Sequence, residues 1–453
     1  MTRANSNSAS SCIGRLDNFY RKAPVQSRGF CFACLFCLNV LGDFDLQEDA
    51  FILVAMPQVK KSKRRALATQ CIHAGEERHG QSASINTDIA QSSVFVLPNV
   101  GALKRANEKR SSAYTYSRYA NPTVHAAEQK IAALEGGGEC VATSSGLAAI
   151  LAGVLAVCSA GDEIVSMLDI YGGTLRMFDV ILKKLGIKVT LVPYAELGNI
   201  ERYFTPKTKL LFLETPTNPT LRCIDLATLA KKARKHRIHS MVDSTFATPV
   251  LLRPFEYGCD IVMHSATKYL GGHSDLTAGA VIARDPKIIE QMRMVNIYTG
   301  GTLDPGAASL LIRGLKTLEV RVDRACANAK RIVAWLVQQK KVKRVLYPGL
   351  KANEGHAFAR KQMDDFGMML TVELRGGGRS AERFIDSLKL WYLATSLGGV
   401  ESTVSYPVLA SHLHCTPAQL KLLDVTPAMV RMSVGIEDVD DLIADLDQAL
   451  AKV

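Results

Sequence analysis

From Glu139 onward the chain alternates short apolar runs with longer amphipathic stretches, the pattern of strands and helices taken in turn. The runs are Cys140 to Thr143, Glu163 to Met167, Lys188 to Val192, Leu210 to Leu213, Ser240 to Val242 and Ile261 to Met263. Strands separated by helices in this way lie parallel, so the pattern predicts a mainly parallel sheet covered by helices on both faces. Between two of the runs Asp225 stands where a helix cap belongs. Leu226, Leu229, Ala230 and Ala233 share one face of that helix, and Lys231, Lys232, Arg234 and Lys235 lie toward the end where cations favour the dipole. Near the C-terminus Val439, Leu442, Ile443, Leu446 and Leu450 recur at helical spacing and predict a closing helix with a core-facing stripe.

The first sixty residues do not share this pattern. Met1 to Arg28 is rich in Ser, Asn and Arg with Asp17 its only acid, and Phe30 to Leu41 is apolar until Asp43, Asp45, Glu48 and Asp49 interrupt. A run this short cannot span a bilayer. Cys31, Cys34 and Cys37 have metal-like spacing but lack a fourth ligand nearby, so no metal site is expected. The segment reads either as an organelle transit peptide or as a stretch upstream of a true start at Met56; the acidic portion favours the second. Residues 1–66 are therefore expected to be an extension that is disordered or precedes the true start.

Composition adds little beyond this. With 47% hydrophobic and 22% charged residues the chain belongs among soluble globular proteins of about two domains. The formal charge is +12, but it is diffuse. The basic cluster Lys60, Lys61, Lys63, Arg64 and Arg65 has no interleaved aromatics and reads as a solvated linker, so neither nucleic acid nor membrane is expected as a partner. Eleven cysteines without a signal peptide predict reduced thiols in a cytoplasmic setting.

In open α/β sheets ligands gather beyond the carboxyl ends of the strands, and the residues that follow the apolar runs here are polar or glycine-rich. They are Ser144-Ser145-Gly146, Tyr171-Gly172-Gly173, Glu214 to Pro219, Asp243-Ser244-Thr245 and Ser265-Ala266-Thr267-Lys268. Lys268 is the candidate for an amine that forms a Schiff base, with hydroxyls beside it to bind an anion. Asp243, at an apolar strand tip, needs a cationic partner unless it caps a helix or joins a structural ion pair. Ser145, Gly146 and Leu147 form a glycine turn opening a helix, whose free N–H groups suit a phosphate. Tyr171 is either a ring that stacks on an aromatic cofactor or a core tyrosine. Arg431, in an apolar strand, suits capture of a substrate carboxylate if it points inward and is an edge arginine if it does not.

Taken together, Ser265-Ala266-Thr267-Lys268-Tyr269-Leu270-Gly271-Gly272-His273, Asp243, Glu214-Thr215-Pro216-Thr217-Asn218-Pro219 and Tyr116-Ser117-Arg118-Tyr119-Ala120-Asn121-Pro122-Thr123 resemble the cysteine/methionine-metabolism family of fold-type I pyridoxal-phosphate enzymes. That family includes cystathionine γ-synthase, cystathionine β- and γ-lyases, methionine γ-lyase and O-acetylhomoserine sulfhydrylase. Ser396 to Ser402 and Val430 to Asp438 extend the likeness, which runs from about Thr69 to the end. The resemblance implies a fold-type I α/β architecture: a seven-stranded, mainly parallel sheet in a large cofactor domain, residues 121–315, and a smaller C-terminal α/β domain, residues 316–453. Residues 67–120 would form an arm against a neighbouring subunit.

By the same resemblance Lys268 is the Schiff-base lysine and proton carrier, Asp243 pairs with the pyridine nitrogen, and Tyr171 stacks on the ring and assists the leaving group. Ser145, Gly146, Leu147, Ser265 and Thr267 surround the phosphate, and Arg431, Ser396 and Asn218 position the substrate carboxylate. Tyr116 and Arg118 reach the phosphate from a neighbouring subunit, with Tyr116 also near the substrate, which makes a dimer the minimal unit and a dimer of dimers the usual assembly. The implied activity is γ-elimination or γ-replacement on cystathionine or an activated homoserine, with cystathionine β-lysis close behind. An aminotransferase, or a catalytically silent protein on the same scaffold, is the alternative of another class. Cystathionine γ-lyases commonly carry acids where this chain has Thr115 and Thr395, and well-known methionine γ-lyases carry a cysteine where it has Gly173. The distal pocket is therefore expected to be less acidic, and a dedicated methioninase is disfavoured.

Overall fold

The computed structural model describes residues 66–76, 83–108, 111–413 and 415–453. The sequence readings on residues 1–65, including the three spaced cysteines and the basic cluster, lie outside them. The apolar runs become strands β1 (Glu139–Thr143), β2 (Glu163–Met167), β3 (Lys188–Val192), β4 (Thr208–Glu214), β5 (His239–Asp243) and β6 (Ile261–His264). A further strand, β7 (Gly279–Ala283), completes a seven-stranded sheet of order β1-β7-β6-β5-β4-β2-β3. β7 runs antiparallel to both its neighbours, and the other pairings in the sheet are parallel. Central strands are buried on both faces, Leu210 to Leu213 of β4 completely, as a parallel sheet under helices requires. Full burial of such side chains contributes roughly 1.5–3 kcal/mol each.

The helices follow from the same patterning. Asp225 caps the helix Leu226–Lys235 by accepting from the Thr228 N–H at 3.1 Å, and Leu226, Leu229, Ala230 and Ala233 are buried as expected. The helix Gly146–Val157 is apolar nearly all round and packs over β1, β6 and β7; it has no solvated stripe because the helix Pro286–Thr299 covers it. The C-terminal half carries a second sheet of β8 (Val342–Leu346), β9 (Met369–Leu374), β10 (Tyr392–Leu393), β11 (Thr403–Ser405) and β12 (Met429–Ser433), in the order β10-β11-β12-β9-β8. The helix Val439–Ala451 packs against the helices Leu318–Leu336 and Gly378–Ser387, which lie on that sheet, with Val439, Leu442, Leu446 and Leu450 buried and Ile443 only partly covered. No described helix is long and apolar enough to cross a membrane.

Hydrogen bonds hold the loop after β4 against the second sheet and its helices. The Thr371 hydroxyl on β9 donates to the Pro219 carbonyl at 2.7 Å, and the Asn353 amide donates to the Leu221 carbonyl at 2.8 Å. The Gln362 side chain accepts from the Leu226 N–H at 2.9 Å and donates to the Ile224 carbonyl at 2.8 Å. These bonds fix where β12 presents its side chains relative to the carboxyl ends of β4 and β5.

β7 also abuts the turn that opens the Gly146 helix. A Cβ at Gly279 would stand 2.1 Å from the Ser145 carbonyl oxygen, a backbone atom that cannot rotate away. Gly279→Ala is therefore expected to lower unfolding free energy by about 1–3 kcal/mol, as overpacking of a tight contact does. Urea denaturation followed by circular dichroism reads this out, and a variant as stable as the native chain would show that the strand and turn separate freely.

Candidate active site

The carboxyl ends of β1, β2, β4, β5 and β6 do meet. Ser145 caps the Gly146–Val157 helix by accepting from Ala148 N–H at 3.2 Å, which leaves the N–H groups of Gly146 and Leu147 without intrahelical acceptors. Gly146 lies so close to Ser265 that a Cβ there would stand 2.8 Å from the serine Cβ. The Ser265 N–H donates to the Thr245 hydroxyl at 2.8 Å, and that hydroxyl donates to Asp243 Oδ1 at 2.5 Å. The first turn of one strand end is thus tied to the next two. The Thr267 hydroxyl exchanges hydrogen bonds with Ala278, accepting from its N–H at 2.9 Å and donating to its carbonyl at 3.1 Å, so it must turn to reach an anion in the cradle.

Asp243 is buried, and its hydrogen-bond donors among the described residues are the N–H and hydroxyl of Thr245. Burial pushes its carboxyl up; the Thr245 bonds and the charges of His264 and Lys268 oppose that. Lys268 is half-buried and its Nζ lies 2.5 Å from the Ser396 hydroxyl. Burial first, then the nearby Arg431 charge, lowers its amine to about 8, while Asp243 acts in the other direction. An amine in that range is free base in appreciable fraction near neutrality, as a nucleophile and proton carrier must be.

Arg431, on β12, points inward and is only 5% exposed. One of its terminal nitrogens donates to Asn218 Oδ1 at 3.0 Å and the other to the Ser396 carbonyl at 2.7 Å, while its Nε is buried without a partner. Burial lowers even this guanidinium, to about 10. A cation held on neutral acceptors, with a donor to spare, is built to receive an anion. Ser396 adopts φ of +80°, a conformation that costs a non-glycine residue energy and directs its carbonyl at Arg431 and its hydroxyl at Lys268. Tyr171 is 44% exposed at the rim, and its ring lies where a side chain at position 173 would stand.

The expected residues therefore divide into two groups. Lys268, Asp243, Ser145, Gly146, Leu147, Ser265, Thr267, Tyr171, Arg431, Ser396 and Asn218 gather around one site. Tyr116 and Arg118 do not join it within the chain: the guanidinium lies over the Tyr116 and Tyr119 rings and donates to the Ile297 carbonyl at 3.1 Å. Sequence reasoning put Thr245 and Glu214 at the strand ends but foresaw the contacts of neither. It also missed Arg321, whose guanidinium braces the turn after Lys268 by donating to the Tyr269 carbonyl at 2.8 Å. The signal for Glu214 was available, since an acid ends an apolar run with no cation beside it in sequence.

Residues 68–451 match the profile of a family described as Cys/Met metabolism PLP-dependent enzyme. An L-methionine gamma-lyase of Fusobacterium nucleatum subsp. polymorphum is 39% identical over 396 residues, 87% of this chain and 100% of the relative. A cystathionine beta-lyase of Coxiella burnetii is 38% identical over 391 residues, 86% of this chain and 99% of the relative. Among solved structures, a cystathionine gamma synthase of Xanthomonas oryzae pv. oryzae in complex with aminoacrylate and cysteine superposes with a TM-score of 0.81 at 35% identity, covering 86% of this chain and 99% of the other.

The residues present fit pyridoxal phosphate. The buried Asp243 carboxylate lacks a bonded cation, the N–H groups at the Gly146 turn face no internal acceptor, and Lys268 is an amine depressed toward neutrality. The depressed amine gives a direct prediction. Reductive methylation of Lys268, followed by peptide mass spectrometry, should accelerate with pH and level off above about 8, whereas exposed lysines continue to climb. In Arg431→Ala the levelling point should move upward, because one of the charges that lowers the amine has gone.

Proposed function

We propose, for a chain that belongs to the Cys/Met metabolism PLP-dependent enzyme family, that it makes or breaks the carbon–sulfur bond of cystathionine or of an activated homoserine by γ-elimination or γ-replacement. As a member of that family it is a pyridoxal-phosphate-dependent carbon–sulfur lyase or γ-synthase acting on small amino acids. The observation that carries the finer reading is the Lys268–Ser396–Arg431–Asn218 chain, which sets a near-neutral amine beside a waiting guanidinium.

In this reading Ser145, Gly146, Leu147, Ser265 and Thr267 hold the cofactor phosphate, Asp243 holds the protonated ring nitrogen, and Tyr171 covers the ring. Bound pyridoxal phosphate supplies an aldehyde carbon that takes an amine and a ring that withdraws the electron pair left at the α-carbon. Arg431 binds the substrate carboxylate through its free Nε and a terminal nitrogen, with Asn218 and the Ser396 carbonyl keeping the guanidinium plane fixed. Lys268, as free base, then takes the α-proton at Nζ and redelivers it, and a second proton leaves the β-carbon in γ-chemistry. Tyr171, exposed at the rim, assists the departing group. The Tyr171 ring packs back onto Gly173, where well-known methionine γ-lyases carry a cysteine, which weighs against a dedicated methioninase, while Thr115 and Thr395 offer no acid to a distal pocket and leave β- and γ-chemistry to the product test.

The second copy follows from the arm. Ile85, Ile89, Val94, Val96 and Val100 are exposed, Val96 at 97%, and this apolar strip adjoins Tyr116 through the Val94 bridge. The strip supports a dimer in which Tyr116 and Arg118 complete a neighbour's site, assembled further as a dimer of dimers. Co-expression of Lys268→Ala with Arg118→Ala should then restore activity that neither variant has alone, because mixed dimers carry one intact site; no restoration would place Arg118 outside the neighbour's site.

The reaction is tested by incubating the protein and pyridoxal phosphate with cystathionine and identifying products by mass spectrometry. 2-Oxobutanoate with cysteine establishes γ-lysis; pyruvate with homocysteine would replace it with β-lysis. With neither, an acylated homoserine plus cysteine or sulfide should give the γ-replacement product, and failure there too overturns the reading. Lys268→Ala is expected to lose about 10²–10⁴-fold or more of turnover with the fold intact, the usual worth of a proton carrier. Arg431→Ala should chiefly raise KM, by roughly 10- to 100-fold, as loss of a charge-assisted carboxylate contact does.

A further inference from the structure

Glu214, the last residue of β4, is a buried titratable group at this site that the reaction as described does not use. Its Oε2 accepts from the Tyr171 N–H at 2.8 Å and its Oε1 accepts from the Asn218 N–H at 3.1 Å. Asn218 in turn accepts from Arg431 at 3.0 Å. One carboxyl group therefore joins the backbone beneath the ring at the rim to the backbone beneath the substrate-carboxylate anchor. Both oxygens act as acceptors, which only the ionised form or a carboxyl with its proton directed elsewhere allows.

The position is an expensive one for a carboxylate. Glu214 is 5% exposed and sits in register beside Asp243 on the adjoining strand. Burial and the Asp243 charge both push its carboxyl well above the usual range, against the two N–H donors. A residue that only filled the strand end would be apolar, since replacing a buried charge by a hydrophobic group of similar volume is often neutral or stabilising. What an apolar residue cannot do is hold two N–H groups from different loops at one spacing.

We propose that Glu214 is a positioning residue that couples the cofactor side of the site to the substrate side, fixing the Tyr171 loop with one oxygen and the Asn218–Arg431 pair with the other. The inference rests on the assignment of Tyr171 to the ring and Arg431 to the substrate carboxylate made above. A carboxylate bound at Arg431 then acts on Tyr171 through Asn218 and Glu214, four residues in continuous hydrogen bonding.

The test uses holoenzyme carrying Glu214→Gln, which retains size but has one acceptor oxygen instead of two and sets an amide NH₂ against an N–H. Two signals are read. Visible circular dichroism of the bound cofactor reports the ring environment, and titration of the same band with glycine reports affinity for an amino-acid carboxylate. The dichroic band should change and glycine affinity should fall by about tenfold, the worth of one charged hydrogen bond. In addition, the coupling between Tyr171→Phe and Asn218→Ala in glycine binding, present in the native background, should vanish when both are combined with Glu214→Gln. A merely structural residue would not remove that coupling. If Glu214→Gln does not fold, Glu214→Asp keeps the charge but is too short to serve both loops, and the same loss of coupling is expected.

A native-like band with glycine affinity within about twofold of native, or a coupling that survives, overturns the proposal. Lys268→Ala separates this from the wider reading: an inactive Lys268→Ala beside an unaffected Glu214→Gln removes only the coupling, whereas an active Lys268→Ala removes the site assignment itself.

Discussion

Two carboxyl groups, Glu214 and Asp243, stand in register at the buried ends of adjoining strands, and most of the site answers to them. A carboxylate taken out of water costs several kcal/mol unless charge or hydrogen bonds replace the solvent. Asp243 receives two bonds from Thr245, and Glu214 receives the Tyr171 and Asn218 N–H groups. Lys268 and Arg431 bring positive charge from the loop after β6 and from β12. Each of these groups belongs to a different element, so satisfying two acids fixes the mutual placement of most strand ends.

Arg431 explains why the second sheet is held so firmly to the first. Its guanidinium is buried against Asn218 and the Ser396 carbonyl, neither of them an anion, and it would be costly to leave in place without them. The bonds from Thr371, Asn353 and Gln362 to the loop after β4 hold that geometry from the second sheet's side. Lys268 is lowered first by its own burial and then by the Arg431 charge, so the guanidinium contributes to the basicity of its neighbour.

Much of this was legible in the chain alone. Six apolar runs became the strands they predicted, Asp225 capped its helix, and Val439, Leu442, Leu446 and Leu450 faced the core, because period and capping are local properties. β7 was not foreseen. Gly279–Ala283 is a short run of small apolar residues that local pattern does not separate from helix or loop, and its role comes from pairing with β1 and β6 in opposite sense. Gly279 itself acquires meaning only when Ser145, 134 positions earlier, comes to rest against it.

The sequence by itself determined which residue types stand at the strand ends, and through them the family: a lysine preceded by two small hydroxyl residues, an aspartate at an apolar tip, a glycine turn opening a helix, an arginine in an apolar strand. Only the tertiary structure decided which way Arg431 points, that Lys268 and Ser396 touch, and that Glu214 serves two loops at once. Side-chain identity sets what chemistry a position can perform. Burial, hydrogen-bond partners and the charges that shift a group's proton affinity come from segments far apart in the chain, and those exist only once the two sheets have packed.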